Sequence, residues 1–337
     1  MKPVEKFALK PVTLVACSLV LLSLCILASL AFGSRTIGFG EVLDTLIHSK
    51  KTTLSERVVL ERIPRTVFGL LAGAALGISG TLMQAITRNP IADPSILGVN
   101  TGASLFVVGG IAFFNIATAG QYIMFALVGA SVTALFVYGV GSMGSGGATP
   151  IKLALAGAAT SAALSSIVSA IILPRTEVMN AFRFWQVGSI SGATWEGITS
   201  VSPFLAVGLL IGFLSSSSLD ALALGDDVAT GLGVRTGVTR LVAAFAGVLL
   251  CGATTALAGP IGFVGLMVPH AMRLLIGPSL KKIIPMSAIG GAILLTTSDV
   301  IGRLIGSPSE LEAGIVTAFI GAPILIWIAM KAKGRAL

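Results

Sequence analysis

The sequence predicts an all-α, polytopic membrane protein of about ten transmembrane helices, forming one domain over residues 1–337. Three observations carry this. The 337 residues are 55% hydrophobic and only 11% charged, with a mean hydropathy of +0.98, whereas a soluble globular protein has about 25% charged residues. The apolar residues fall in about ten blocks, each near the ~20 residues that an α-helix needs to cross a bilayer. Most of the 41 glycines lie inside those blocks, where small residues let helix backbones approach closely in lipid.

Lys2, Lys6 and Lys10 precede the first apolar run, 12–32. That run is longer than the roughly 7–15-residue core of a signal peptide, and Leu22-Ser23-Leu24-Cys25 lacks the small residue expected before a cleaved position, so it reads as a first membrane helix. Further spans follow at 64–86, 95–114, 120–141, 151–172, 197–215, 239–258, 260–276, 283–299 and 313–330. Pro260, Pro269, His270 and Arg273 break the eighth into a short, half-buried helix. An even number of spans puts both termini on one side.

With the N-terminus inside, thirteen Lys and Arg and five acids face the cytoplasm and nine of each face outward, so the entire net charge of +8 lies inside. The pI of about 9.8 therefore reflects topology and not nucleic-acid binding. The outside bases cluster at Lys50, Lys51, Arg57, Arg62 and Arg65, either as a solvated loop or as a docking surface for an acidic partner. No ionisable residue falls at the middle of a span, which argues against an ion-coupled carrier.

Within the second span Gly69, Gly73 and Gly77 recur every fourth residue, grooving one helix face for a close neighbour. After it, Asn89-Pro90-Ile91-Ala92-Asp93-Pro94 makes a stiff turn, because each proline excludes helix at the residue before it. Between spans six and seven, 219–234 is neither apolar enough to span nor polar enough to be disordered; Leu222, Val228, Ala229 and Leu232 fall near helical spacing around Gly225. Two short amphipathic helices joined by a glycine are expected there, with an apolar face turned to a cytoplasmic protein. Gly77–Val99 and Gly247–Pro269 are faintly alike, as the halves of an inverted repeat would be.

Chemistry-bearing motifs are absent from the sequence. There is no G-x-x-x-x-G-K-[ST] phosphate loop and no H-E-x-x-H; His48 and His270 are isolated, and Cys17, Cys25 and Cys251 read as buried, inert thiols. No catalytic residue, bound cofactor or metal site is expected, which leaves a membrane-embedded enzyme without support.

Six ordered blocks resemble the FecCD-type permeases of bacterial ATP-binding-cassette (ABC) importers for ferric siderophores, haem and cobalamin. They are Arg62-Ile63-Pro64-Arg65; Gly80-Thr81-Leu82-Met83-Gln84; Asn89-Pro90 with Ala92-Asp93-Pro94 and Leu97-Gly98; Leu224-Gly225 with Ala229 and Leu232-Gly233; Gly262-Phe263-Val264-Gly265-Leu266 with Pro269-His270 and Arg273; and Gly314-Ile315-Val316-Thr317-Ala318 with Gly321-Ala322-Pro323. The resemblance implies a type II ABC importer permease in the bacterial inner membrane. It implies a second permease subunit, two ATP-binding subunits that carry the ATP and Mg, and an extracytoplasmic siderophore-binding protein. It places coupling to the ATPase at Leu224, Gly225, Asp226, Asp227, Ala229, Leu232 and Gly233, binding-protein docking at Arg62, Arg65 and Arg303, and the cytoplasmic gate at Asn89 and Ile91. The expected cargo is an iron(III)-siderophore complex, with haem or cobalamin as alternatives. One departure is Glu312, where the family usually has proline; it adds an acid beside Asp299 and Glu310 and implies a less rigid turn and an altered presentation of Arg303.

Overall fold

The computed structural model describes residues 11–48, 53–90, 92–144 and 149–333. Ten apolar helices match the ten expected spans: α1 (Pro11–Ala31), α3 (Leu54–Thr87), α4 (Val99–Phe114), α5 (Ala119–Gly141), α6 (Pro150–Ile172), α8 (Trp195–Ala223), α10 (Thr236–Ala258), α11 (Val264–Ile276), α12 (Leu280–Ile305) and α13 (Ala313–Lys333). Seven are long and apolar enough to cross a membrane, and α4, α11 and α13 supply shorter apolar segments. Three short helices accompany them: α2 (Phe39–His48), α7 (Thr176–Gln186) and α9 (Asp226–Gly231). α2 and α7 were not expected. Each carries charge and runs for only 10 or 11 residues, too few for a hydropathy window tuned to a bilayer's thickness.

The second span is longer than its apolar core, because Thr53 and Glu56 form a reciprocal capping box that starts α3 ten residues before Pro64. Arg57, Arg62 and Arg65 are thus helical residues and not part of a loop, while Lys50 and Lys51 lie outside the described residues.

α3 is the central post. Gly69 faces Thr296, and β-carbons at Gly73 and Gly77 would overlap the Gly291 and Ser287 carbonyls of α12. The partner numbers fall as the α3 numbers rise, so the helices cross antiparallel with their backbones in contact. One helical turn further, Gly80 meets the Gly265 backbone of α11 in the same way.

α11 begins deep in the bundle. α10 stops at Gly259 (φ 72°), the five residues 259–263 run without helix, and Phe263 (φ 69°) opens α11. A β-carbon at Gly259 would strike the Trp185 carbonyl, so this turn needs glycine for both conformation and space. The break after α3 is comparable: Arg88 (φ 50°) ends the helix, Asp93 caps a 3-10 turn over Pro94–Leu97, and α4 follows. α3 and α10 lie antiparallel, since the end of one and the start of the other meet beside α9. Both pieces of the faint repeat are therefore a buried helix, a Pro-Ile break and a shorter apolar helix.

Candidate functional site

At the α9 end of the bundle the first of the two expected short helices is not separate. It is the continuation of α8 through Ala223. The second is α9, set off by Gly225 at φ 118°, a conformation that costs glycine little. Leu222 and Ala229 are fully buried, whereas Leu224, Val228 and Leu232 are 65%, 49% and 64% exposed. Ala229 thus holds α9 against the bundle and presents nothing outward, a correction to its expected contact role; Leu224, Val228 and Leu232 leave apolar side chains exposed around α9. Gly233, at φ 83°, turns the chain into α10.

Two carboxylates tie this region to the bundle. Asp226 accepts from Arg240 Nη2 at 2.9 and 3.0 Å and pairs with Arg88, whose Nη2 also donates to the Leu222 carbonyl at 2.8 Å. α9 is thereby strapped to the end of α3 and the start of α10. Asp220 accepts from Leu280 N at 2.6 Å and Ser279 Oγ at 3.1 Å, capping α12. Asp226, expected as a contact to a partner, spends its charge inside the chain. Asp227 points to solvent.

Immediately after Arg88 comes the segment expected to form the cytoplasmic gate. Asn89 is exposed, and its carbonyl accepts from Ala92 N at 3.1 Å; Ile91 lies outside the described residues. Asp93 Oδ1 accepts from Ser95 N at 2.9 Å, and burial pushes its carboxyl pKa up, partly offset by the Ser95 hydrogen bonds. Gln84 Nε2 donates to the Leu266 carbonyl at 3.1 Å and Gln84 Oε1 accepts from Arg273 at 3.2 Å, joining α3 to α11 beside this turn.

At the opposite end, Arg62 and Arg303 do not face solvent. Arg62 is buried and donates to the carbonyls of Leu30 (2.8 Å), Ala31 (3.0 Å) and Arg35 (2.6 Å). Arg303 is 1% exposed and donates to the carbonyls of Ser29 and Phe32, both at 2.9 Å. The final carbonyls of a helix lack intrahelical partners, so the two guanidiniums cap the end of α1, where cations are also favoured by the dipole. Docking surfaces need exposed charge; here α1 has consumed it, and the expected role of these two arginines is corrected accordingly. Arg65 is nearer the surface. Its Nη2 lies 2.7 Å from Asp299 Oδ1 and its Nη1 2.7 Å from Glu310 Oε2, and Asp299 also pairs with Arg303 at 3.0 Å. The Glu312 side chain forms no ion pair among the described residues; its carbonyl accepts from Ile315 N at 3.0 Å in the first turn of α13.

One functional feature escaped the sequence reading. Only 11% of the α6 window is buried, against 28% for α1 and 78% for α3. The exposed face of α1 carries Val12, Val15, Leu19, Val20 and Leu24, as hydrocarbon requires; that of α6 carries Ala158, Ala162, Ser165, Ser166 and Ser169 together with the larger Ile151, Leu155 and Ile167. Ser166 and Ser169 bond back to the Ala162 and Ser165 carbonyls, and small residues outnumber large ones among the exposed positions of α6. Small residues at this density suit a helix neighbour or a wet passage better than lipid. The hydropathy of α6 hides this, because alanine counts as apolar.

Of the cysteines, Cys25 and Cys251 are buried and Cys17 is exposed on α1 among lipid-facing residues. Among the described residues no group of three or more His, Cys, Asp and Glu converges as a metal site would.

The profile of the FecCD transport family matches residues 21–331. The chain belongs to the FecCD transport family. The Fe(3+)-citrate import system permease YfmD of Bacillus subtilis (strain 168) is 44% identical over 272 residues, covering 81% of this chain and 80% of that protein. The ferric enterobactin transport system permease FepD of Escherichia coli (strain K12) is 40% identical over 319 residues, covering 94% and 95%. Among solved structures, an inward-facing metal-chelate type ABC transporter superposes with a TM-score of 0.83 at 25% identity, covering 96% of this chain and 100% of that one. This FecCD protein is a multi-pass membrane permease subunit with the type II ABC importer fold.

Proposed function

We propose that this FecCD permease carries an iron(III)-siderophore complex into the bacterial cytoplasm, through an interface with a second permease subunit. Two ATP-binding subunits energise it, and an extracytoplasmic binding protein supplies the cargo. The observation that carries the reading is the unpartnered apolar triplet Leu224, Val228 and Leu232 around α9, strapped by Asp226 and Arg88 to the start of the Asn89–Pro94 turn. An ATPase that seats this triplet moves α9, and the strap passes the motion to the end of α3, where the gate segment begins. The ATP and Mg belong to that subunit.

The charge distribution supports placing the α9 end and both termini in the cytoplasm, which puts Arg65 and Glu310 on the outer face. Binding-protein docking is assigned to that mixed-charge surface, with Arg62 and Arg303 supporting it from beneath. The Ala and Ser face of α6 supports a pathway wall against the second permease. The ferric-chelate assignment follows from relatives named for ferric citrate, enterobactin and hydroxamate import. Haem has weaker support, since the hemin permease HmuU of Yersinia pestis is 29% identical.

The test is uptake by a strain lacking this gene, with and without its restoration, using radiolabelled iron on hydroxamate, catecholate and citrate chelators, with labelled haem and cobalamin in parallel. Loss and rescue of one ferric chelate, abolished by ATP depletion, is the expected result. Rescue of haem or cobalamin alone overturns the siderophore assignment, and uptake insensitive to ATP depletion overturns the ABC mechanism.

A further inference from the structure

A cleft of about 300 Å³ lies between α8 and α10 at the α9 end of the bundle. One end is mainly apolar, and the other holds a cation and two hydroxyls. Ile211, Leu214 and Val242 wall the end away from α9, with Ser215 among them, and Ser218, Thr239 and Arg235 wall the end nearest α9, with Val238 among them. Leu214 and Val242 are 72% and 38% exposed, and Leu210 and Phe213 beside them are also exposed, so large apolar side chains flank the mouth of the cleft.

The polar end is unused. Among the described residues the side chains of Ser218, Thr239 and Arg235 have no hydrogen-bond or ion-pair partner. Elsewhere in this chain, membrane-embedded hydroxyls such as Ser18, Ser166 and Thr254 bond back to the carbonyl four residues earlier. The neighbouring arginines, Arg88 and Arg240, are both spent on Asp226. Arg235 alone of the three keeps a free charge.

We propose that this cleft is a binding site for an anionic phospholipid of the leaflet next to α9, with an acyl chain along Ile211, Leu214 and Val242 and the phosphate held by Arg235 and the two hydroxyls. A mainly apolar end and an end with a cation and two hydroxyls match the acyl chain and the phosphate of such a lipid. A basic side chain beside an anionic leaflet favours binding by an amount that corresponds to about fivefold enrichment. Bound there, the lipid braces the last turns of α8 against the first turns of α10, the two helices between which α9 is slung.

The experiment uses the full-length chain purified in detergent and offered equimolar phosphatidylglycerol and phosphatidylcholine, with retained lipid counted by mass spectrometry. Wild-type protein should retain phosphatidylglycerol about fivefold over phosphatidylcholine. R235Q, checked to elute identically on gel filtration, should lose that preference, and R235K should keep it. V242W, which fills the acyl portion and leaves Arg235 intact, should also lower retention. Undiminished preference in R235Q overturns the proposal. Equal competition by soluble glycerol phosphate overturns the lipid assignment, because it would make the site one for phosphate alone.

Discussion

Each end of the bundle carries an arginine and carboxylate cluster, and the two are built for different duties. At the end opposite α9, Asp299 is 1% exposed in its side chain and held between Arg65 and Arg303, at 12% and 2%. At the α9 end Asp226 is 44% exposed between Arg88 and Arg240, at 40% and 22%. Opposite charges interact strongly only where water is excluded. The Asp299 cluster therefore fastens α1, α3 and α12 into one body, while the α9 cluster is a strap that water and salt soften. The proposed drive from the α9 end calls for that asymmetry, with a rigid anchor and a yielding link.

The largest expected effect breaks the anchor. D299A takes the shared carboxylate from buried Arg303 and half-buried Arg65, and loss of one partner from a buried pair costs about 3–5 kcal/mol. The thermal midpoint in detergent should fall steeply, with loss of monodisperse protein at low expression temperature. A D299A protein as stable as wild type would mean that the α1 carbonyls alone satisfy Arg303, and that the ion pairs add nothing.

Next comes the crossing that the anchor holds. G73V drives a side chain into the Gly291 carbonyl, and overpacking of this kind costs about 1–3 kcal/mol. G38V, at a glycine with open space around it, is the control that should leave stability alone. Equal midpoints for the two variants would show that α3 and α12 can part without penalty.

The α9 strap sharpens the comparison from the other side. Exposed pairs contribute about 0–1 kcal/mol, so R88Q should leave the thermal midpoint near that of wild type while lowering ATP-dependent uptake. Destabilisation comparable to that of D299A would show that the two clusters are the same kind of fastener.

The helices were legible in the sequence because hydropathy over about 20 residues is a long signal, and Gly69, Gly73 and Gly77 announced the tight crossing by spacing alone. The roles of the charged residues were not. Arg62 and Arg303 look like outward-facing cations in sequence, since nothing local reveals that the end of α1 folds back to take up their donors. Asp226 looked like a contact for the same reason: Arg240 is fourteen residues away and Arg88 is 138 away. Ala229 and Leu224 differ little in pattern but are 0% and 65% exposed, because the turn at Gly225 rotates α9 out of the phase of α8. Burial of a single side chain depends on that rotation, which hydropathy does not encode.

The smallest expected effect concerns Asp93, between the strap and the rest of the bundle. Burial raises its folded pKa above the ordinary carboxylate value, so ionised Asp93 is disfavoured by folding. The cost is present above the raised pKa and disappears as pH falls from there to the unfolded value. D93N keeps the acceptor for Ser95 N and removes the charge, so its midpoint at neutral pH should equal or slightly exceed that of wild type, and the wild-type protein should close the gap as pH is lowered. D93A loses the acceptor as well, and an N-cap of this kind contributes about 0.5–2 kcal/mol. If D93N falls as far as D93A, the charge itself holds the turn, and the gate segment is anchored by an ionic contact like that of Asp299 and not by a hydrogen bond that protonation leaves in place.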